Sequence, residues 1–159
     1  MNSDFPKRTA KFVYYKSLLI KNRCKRTLSK EVDNKYLFIL SPPFCGSTLL
    51  NQFISTSKNV SVNNPLGTRE GQTLPSVKHL MFENRWEENL EIDREHIRKK
   101  WLLYWDTNLP VLLEKSPPNL MRASSIERVF SPSYFIIFYR NPYAHVDSLV
   151  KRTPLTLKG

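Results

Sequence analysis

Three runs of consecutive apolar residues stand out along the chain, at residues 36–40, 111–113 and 134–139. Each run is apolar at every position instead of alternating with polar residues. A strand of this kind has both faces covered, as in a parallel sheet enclosed by helices. Residues 60–62 predict one further short strand, inside a segment whose Asn, Pro, Gly and Thr residues otherwise predict a loop.

Helical segments are predicted directly behind each of the three runs. Residues 49–54 follow the first run. Residues 143–151 follow the third, where Asn141 is the expected cap and Pro142 the expected first-turn residue. Behind the second run, residues 116–118, Ser-Pro-Pro, supply a cap and a first turn for another helix.

The longest helix is predicted over residues 86–105. Acidic residues crowd its start, and the basic residues 98–100 lie in its later half, which suits the helix dipole. Its aromatic residues are expected to pack in the core. Apolar positions recur at helical spacings of seven, four and three, at Leu90, Ile97, Trp101 and Tyr104.

Alternating buried strands and helices predict an α/β fold of three layers, α/β/α, with a mainly parallel sheet. The sheet-forming domain is expected over residues 36–159, and residues 1–35 are expected to form an N-terminal extension that is irregular or helical. In such sheets ligands bind beyond the carboxyl ends of the strands. Polar clusters follow all three apolar runs, so the sequence predicts a ligand site built from them.

The positive charge of the chain is concentrated in the extension. The net charge is +11, and residues 1–35 hold ten Lys/Arg against three Asp/Glu, a local excess of +7. A solvated basic segment is the first interpretation, and contact with an anionic partner such as a membrane surface or an acidic substrate is the alternative. No nucleic-acid partner is expected, because the basic residues lack the aromatic pattern of a nucleic-acid-binding module.

Cysteine and histidine usage predicts neither a disulfide framework nor a metal site. The chain has two cysteines, Cys24 and Cys45, and three histidines without metal-ligand spacing. The longest apolar stretch near the start, residues 17–20, is too short for a signal peptide or a membrane span. A reducing, cytoplasmic location is therefore expected.

The first polar cluster has the composition of an anion-binding loop. Gly46 allows a ligand to approach the backbone closely, and the N–H groups and hydroxyls beside it can bind phosphate oxygens. An ATP-binding P-loop would open with glycine and place lysine before the hydroxyl pair, and neither residue is present. The candidate binding residues are Pro43, Phe44, Cys45, Gly46, Ser47 and Thr48.

Residues 43–49, Pro-Phe-Cys-Gly-Ser-Thr-Leu, resemble the 5′-phosphosulfate loop of sulfotransferases that use 3′-phosphoadenosine 5′-phosphosulfate (PAPS). Residues 140–148 independently resemble the 3′-phosphate motif of the same family, with Arg140 at a strand end and Ser148 eight residues later. An arginine fork and a hydroxyl suit a phosphate group. The resemblance spans residues 36–150 and is nearest to the carbohydrate, tyrosylprotein and bacterial branches.

The resemblance implies a P-loop NTPase-like fold and PAPS as the co-substrate, without a metal. Family members continue well past the position of Ser148, so the domain is expected to be incomplete at its C-terminus. The expected reaction moves a sulfuryl group to a hydroxyl or amine of a carbohydrate, a protein tyrosine or a small molecule. An ATP-dependent P-loop phosphotransferase and a non-catalytic PAPS-binding fragment are the alternatives.

The second cluster, residues 114–116, resembles a Glu-Lys-(Ser/Thr) segment whose lysine lies near the transferring group in these branches. The family carries a basic residue in the first loop where this chain has Phe44. Lys115 is therefore expected to supply the missing charge, which would stabilise the negative charge that develops during sulfuryl transfer.

Glu70 is the candidate base that removes the acceptor proton. It lies in residues 68–72, which resemble the acceptor-side segment of the tyrosylprotein and bacterial branches, and Arg69 beside it is a candidate substrate contact. His79, His96 and His145 are less favoured alternatives for the base. Cys45 has no base beside it in the sequence and is interpreted as a small loop residue.

Overall fold

A four-stranded parallel sheet forms the centre of the computed structural model, which describes residues 5–28, 32–82, 85–87 and 92–152. The strand order is β2-β3-β1-β4, and every neighbouring pair is parallel. The strands are β1 (Lys35–Leu40), β2 (Val60–Val62), β3 (Val111–Glu114) and β4 (Ser133–Ile137).

Helices alternate with the strands and flank the sheet, which confirms the predicted three-layer α/β class. Two 3-10 helices, Gly71–Thr73 and Pro117–Arg122, lie between them. The α-helices are α1 (Phe5–Leu28), α2 (Ser47–Ile54), α3 (Lys78–Met81), α4 (Arg94–Tyr104), α5 (Ala123–Val129) and α6 (Pro142–Arg152).

The position of β1 in the sheet brings the three polar clusters together. Phe38 near the middle of β1 pairs with Glu114 of β3 on one side and Phe135 of β4 on the other. The carboxyl ends of these three strands therefore lie next to one another. Each end leads into one of the clusters that the sequence singled out, so all three open at the same edge of the sheet.

An aromatic cluster fills the space between β1, α4 and α5. The centre of the Phe130 ring lies 5.2 Å from the ring centre of Tyr36, 5.1 Å from that of Phe38 and 5.8 Å from that of Trp101 of α4. Trp105 donates its indole N–H to the Leu113 carbonyl across 3.0 Å, which satisfies its polar group in the core. The predicted core role is confirmed for Trp101, Tyr104 and Trp105, and it is wrong for Trp86, which is 45 % exposed.

The long helix begins later than predicted. Asp93 caps α4, because its carboxylate accepts a hydrogen bond of 2.8 Å from the backbone N–H of His96. Trp86 lies in a turn, so the prediction of a helix from residue 86 is wrong, and Leu90 lies outside the described residues. The acidic residues before Asp93 resembled a first helical turn in the sequence, but the cap fixes the start at Arg94.

The segment after β3 also differs from its prediction. It begins as the 3-10 helix Pro117–Arg122 and becomes regular only in α5. Ser116 lies at the cap position and the two prolines in the first turn, as predicted. The Ser116 hydroxyl makes no capping bond, since it donates to Glu114 and accepts from the backbone N–H of Gln72. The expected cap at Asn141 is confirmed, because its carboxamide oxygen accepts from Tyr143 N across 3.0 Å.

Helix α1 packs along α4 through one face. The Tyr15 hydroxyl donates to the Asn64 side chain across 2.9 Å, and Asn22 donates to the Tyr104 carbonyl across 2.7 Å. Lys25 forms an ion pair with Asp106 just beyond α4. The predicted extension thus contacts the sheet-forming domain through Tyr15, Asn22 and Lys25. None of the helices in the described residues has the length and apolar character needed to cross a bilayer.

Strand β4 is less buried than its composition predicted. It is an edge strand, and Tyr134 and Ile137 are 52 % and 71 % exposed. The prediction that this run is covered on both faces is therefore wrong for the described part of the chain. The reason is that β4 has a neighbour on one side only, and none of the α6 residues is buried.

Candidate functional site

The β1–α2 loop, residues 41–46, adopts the backbone that its glycine permits. Gly46 has φ 96° and directly precedes Ser47, the first residue of α2. A Cβ at Gly46 would meet no atom within 4 Å, so the glycine is required by the left-handed conformation and not by lack of space. The first N–H groups of α2, those of Ser47 and Thr48, have no partner within the helix by geometry and can face an anion.

Lys115 brings a buried positive charge to the start of α2. Its side chain is 3 % exposed, at the carboxyl end of β3. The ammonium donates to Thr48 Oγ1 across 3.1 Å, to the Thr68 carbonyl across 3.1 Å and to Glu70 Oε1 across 3.0 Å. Three acceptors match the three N–H groups of an ammonium.

Glu70, the candidate base, is the charged partner of this lysine. Its second oxygen, Oε2, accepts from the Gln72 side chain across 2.7 Å, so both oxygens of the carboxylate are engaged. The side chain is 14 % exposed, which leaves a narrow access from solvent. The structure therefore places the two predicted catalytic residues, Lys115 and Glu70, in direct contact.

Glu114 and Ser116, on either side of Lys115, hold the loop that carries Glu70. Glu114 Oε1 accepts from the Gly71 backbone N–H across 3.0 Å, and Ser116 Oγ accepts from the Gln72 backbone N–H across 3.0 Å. The Ser116 hydroxyl donates to Glu114 across 2.5 Å. Burial raises the pKa of Glu114 to about 7, and the bonds from Ser116 and Gly71 oppose that rise.

Gly71 allows this close approach. A Cβ on Gly71 would lie 2.5 Å from Asn63 Nδ2, 2.7 Å from Glu114 Oε1 and 3.0 Å from a Trp101 ring carbon. The sequence predicted no role of this kind for Glu114 or Gly71, and it predicted Ser116 only as a helix cap. The available signal was the alternation of side chains along a strand, which puts residues 114 and 116 on the face opposite to Lys115.

Arg69 fastens its loop to α2. Its guanidinium donates to Asn51 Oδ1 across 2.5 Å, to Ser55 Oγ across 2.8 Å and to the Pro65 carbonyl across 3.3 Å. The residue has φ 59°, a left-handed conformation that is unusual for a side chain of this size. This structural role differs from the substrate contact predicted from the sequence.

Arg140 and Ser148, predicted to act together, are hydrogen-bonded. Arg140 Nη1 donates to Ser148 Oγ across 2.9 Å. Arg140 lies in the connection between β4 and α6, three residues past the end of the strand, and Ser148 lies on α6. Both side chains are in an exposed part of the site. A guanidinium and a hydroxyl so close together form a donor set that suits a phosphate group.

Helix α6 touches the β1–α2 loop through two side chains. His145 Nε2 lies 2.7 Å from the Pro43 carbonyl oxygen. A carbonyl only accepts, so Nε2 must carry the hydrogen. The Arg152 guanidinium lies 5.8 Å from the centre of the Phe44 ring. His145 is thus a link between two clusters, a role that sequence reasoning missed because the partners are 102 residues apart.

The β1–α2 loop and the first turn of α2 together join the two predicted pairs. In the described ranges no hydrogen bond connects Arg140 or Ser148 directly with Lys115 or Glu70. Instead, Thr48 contacts the Lys115 ammonium and Pro43 contacts His145 of α6. An anion bound over this loop would therefore lie between a buried cation on one side and an arginine on the other.

The remaining candidates lie apart from these contacts. His79 lines an open recess with Pro75, Lys78 and Phe82. His96 lies in the first turn of α4. Cys45 is buried and unpaired in the β1–α2 loop, and Cys24 is an exposed free thiol on α1.

Metal ligands do not converge in the part of the chain that the structure describes, where no group of three or more His, Cys, Asp and Glu residues could hold an ion.

Comparisons with protein-family models, curated proteins and solved structures found no match to the chain.

Proposed function

We propose that the chain belongs to a sulfotransferase that moves a sulfuryl group from PAPS to a hydroxyl or amine acceptor. The observation that supports this most is the Lys115 ammonium, which is buried and contacts both Thr48 in the first turn of α2 and Glu70. A transferable anionic group must lie between its binding loop and the acceptor. A cation shared by the first turn of α2 and the candidate base is suitably placed to stabilise it.

The donor set fits the two anionic ends of PAPS. Arg140 and Ser148 would hold the 3′-phosphate, because a charged fork and a hydroxyl already lie within hydrogen-bond distance of each other. Residues 43–48, with the free N–H groups at the start of α2, would hold the 5′-phosphosulfate. When bound, PAPS supplies an activated sulfuryl group.

Lys115 and Glu70 would have different roles in the reaction. Lys115 would offset negative charge on the oxygens it faces, in a position shielded from water. It would then exchange part of its contact with Glu70 for those oxygens. Glu70 Oε1 would be left to take the proton of the acceptor hydroxyl or amine.

The proposal covers carbohydrates, protein tyrosines and small molecules as acceptors, since Glu70 can accept a proton from any of them. It also includes a reducing, cytoplasmic location, which the unpaired Cys24 and Cys45 support. The β1–α2 loop itself contains no lysine. Lys115, which follows β3, brings its ammonium to the start of α2 instead.

Calorimetric titration of the purified chain with 3′-phosphoadenosine 5′-phosphate, beside Mg-ATP, tests the proposal. We expect the 3′-phosphorylated nucleotide to bind more tightly, and Arg140→Ala to weaken it about tenfold or more. Arg128→Ala, which removes an exposed arginine on α5, is the matched control and should bind like the wild type. Tighter binding of Mg-ATP would favour a phosphotransferase, and no binding to a folded chain would overturn the PAPS site.

A further inference from the structure

Helix α1 presents a row of apolar and small side chains on the face opposite to its packed side. Val13, Ile20 and Leu28 are 59 %, 64 % and 87 % exposed. They are spaced seven and eight residues apart, about two helical turns, so they line up along one face over about 22 Å. Ser17 and Cys24, also exposed, lie in the same row between them. We call these five residues the outer row.

The opposite face is the one that holds α1 on the protein. Tyr15 and Asn22 are 3 % and 2 % exposed and bond to Asn64 and Tyr104 respectively. They are seven residues apart and lie on the far side of the helix from Val13. Because these contacts fix the rotation of α1 about its axis, the outer row is held facing away from the rest of the protein.

Positive charge accompanies the outer row. Helix α1 contains eight Lys/Arg and no Asp or Glu. Lys16 and Arg23 are exposed along one side of the row and Lys21 along the other. The Lys16 ammonium lies 5.5 Å from the ring centre of Phe12, which is itself 61 % exposed. The surface therefore combines apolar groups at its centre with cations at its margins.

We propose that the outer row of α1 docks on an anionic membrane surface, with the helix lying in the plane of the interface. The apolar side chains would enter the boundary between headgroups and acyl chains, while Lys16, Lys21 and Arg23 would reach the lipid phosphates. The basic, acid-free composition is complementary to negatively charged lipid. This surface is separate from the residues of the proposed transfer reaction.

Other binding partners would match either the apolar side chains or the cations of this surface, but not both. A second copy of the helix would bring the same cations against one another. Nucleic acid would use the cations and leave the apolar side chains in water. A partner helix needs a continuous seam to pack against, and Ser17 and Cys24 interrupt it. A lipid surface needs no matching shape.

Vesicle co-sedimentation of the full chain tests the inference. We expect binding to vesicles of phosphatidylcholine with about one-third phosphatidylserine, and weak binding to pure phosphatidylcholine. Val13→Ser combined with Ile20→Ser should lower the partition coefficient about tenfold. Lys16→Gln combined with Arg23→Gln should lower it by a similar factor, and the remaining binding should fall as salt rises.

Two matched control pairs separate this surface from others. Leu49→Ser with Phe53→Ser removes exposed apolar groups from α2, and Lys58→Gln with Arg128→Gln removes exposed charges elsewhere. Both pairs should bind vesicles like the wild type. The inference is overturned by an absence of vesicle binding, by equal binding to neutral vesicles, or by a Val13→Ser/Ile20→Ser variant that binds undiminished. None of these outcomes depends on nucleotide binding.

Discussion

The ammonium of Lys115 donates to Glu70 Oε1 across 3.0 Å in a site where 3 % of the lysine side chain and 14 % of the glutamate side chain are exposed. The pair connects the end of β3 with the loop before the 3-10 helix Gly71–Thr73. Both groups proposed for chemistry are therefore also partners in the fold, because each neutralises the charge of the other away from bulk water.

Lys115→Met should lower the free energy of unfolding by about 2–4 kcal/mol, since it leaves the Glu70 carboxylate without its cation. Adding Glu70→Gln should recover part of the loss, with a coupling of about 1–2 kcal/mol in a double-mutant cycle. Urea denaturation followed by tryptophan fluorescence measures both quantities. The control is the exposed pair Lys151–Asp147, where the coupling should not exceed about 0.5 kcal/mol. Equal coupling in the two cycles would contradict a shielded ion pair.

Stability should depend on the protonation of Glu114. Burial raises its pKa from the ordinary value of 4.5 to about 7, against the opposing effects of Ser116, Gly71 and the Lys115 charge. Between these two pH values the folded chain holds a proton that the unfolded chain has lost. The free energy of unfolding should therefore fall as pH rises from about 4.5 to about 7, by roughly 2–3 kcal/mol.

Glu114→Gln should remove this contribution and flatten the pH dependence. The variant is expected to fold, because the Asn119 carboxamide, whose oxygen has no partner among the described residues, can turn to accept from the new amide. Denaturation series from acid to neutral pH give the slopes. The exposed Glu127→Gln serves as control and should keep the wild-type slope. A Glu114→Gln variant with the wild-type slope would contradict the raised pKa.

Much of the fold follows from local pattern. The buried runs at residues 36–40 and 111–113 became β1 and β3 almost residue for residue, because uninterrupted apolar character leaves a covered strand as the stable solution. The exposure of β4 could not be derived from its apolar composition. It depends on what lies beside the strand, which is a property of the sheet order and not of residues 134–139.

The site was predictable where it lies at strand ends and unpredictable where it depends on long-range contacts. The closeness of Lys115 and the β1–α2 loop follows from strand order, since β1 and β3 are neighbours. The contact between His145 and Pro43, and the fit of Gly71 against Glu114, depend on atomic packing between distant segments. No spacing in the sequence encodes either of them.

Gly71→Ala should be strongly destabilising. Its Cβ would lie 2.5 Å from Asn63 Nδ2 and 2.7 Å from Glu114 Oε1, and neither buried group has room to move freely. We expect a loss of about 2–4 kcal/mol in the free energy of unfolding. Gly67→Ala is the matched control, because Gly67 has φ 59° but open space around it, and should cost about 1–2 kcal/mol through backbone strain alone. A smaller loss at Gly71 than at Gly67 would contradict the steric argument.

His145 should act as a positioning residue for the β1–α2 loop. Its Nε2–H donates to the Pro43 carbonyl across 2.7 Å and so fixes the loop relative to Arg140 and Ser148, which belong to the same β4–α6 unit. Glutamine can place an amide N–H at nearly the same distance from the backbone, whereas leucine fills the space without donating. His145→Leu should therefore weaken binding of 3′-phosphoadenosine 5′-phosphate about tenfold, and His145→Gln should restore it to within about threefold.

Long-range proton–nitrogen NMR of the nucleotide-free chain gives a second readout, because the contact requires hydrogen on Nε2 of His145 in the neutral ring. An Nδ1–H tautomer, or equal weakening by glutamine and leucine, would contradict the positioning role. If the wild-type chain bound no nucleotide, the proposed PAPS site would fail, yet the tautomer would still report whether His145 holds Pro43. The two measurements therefore separate the architecture of the loop from its function, since a carbonyl acceptor imposes the same tautomer whatever anion the loop binds.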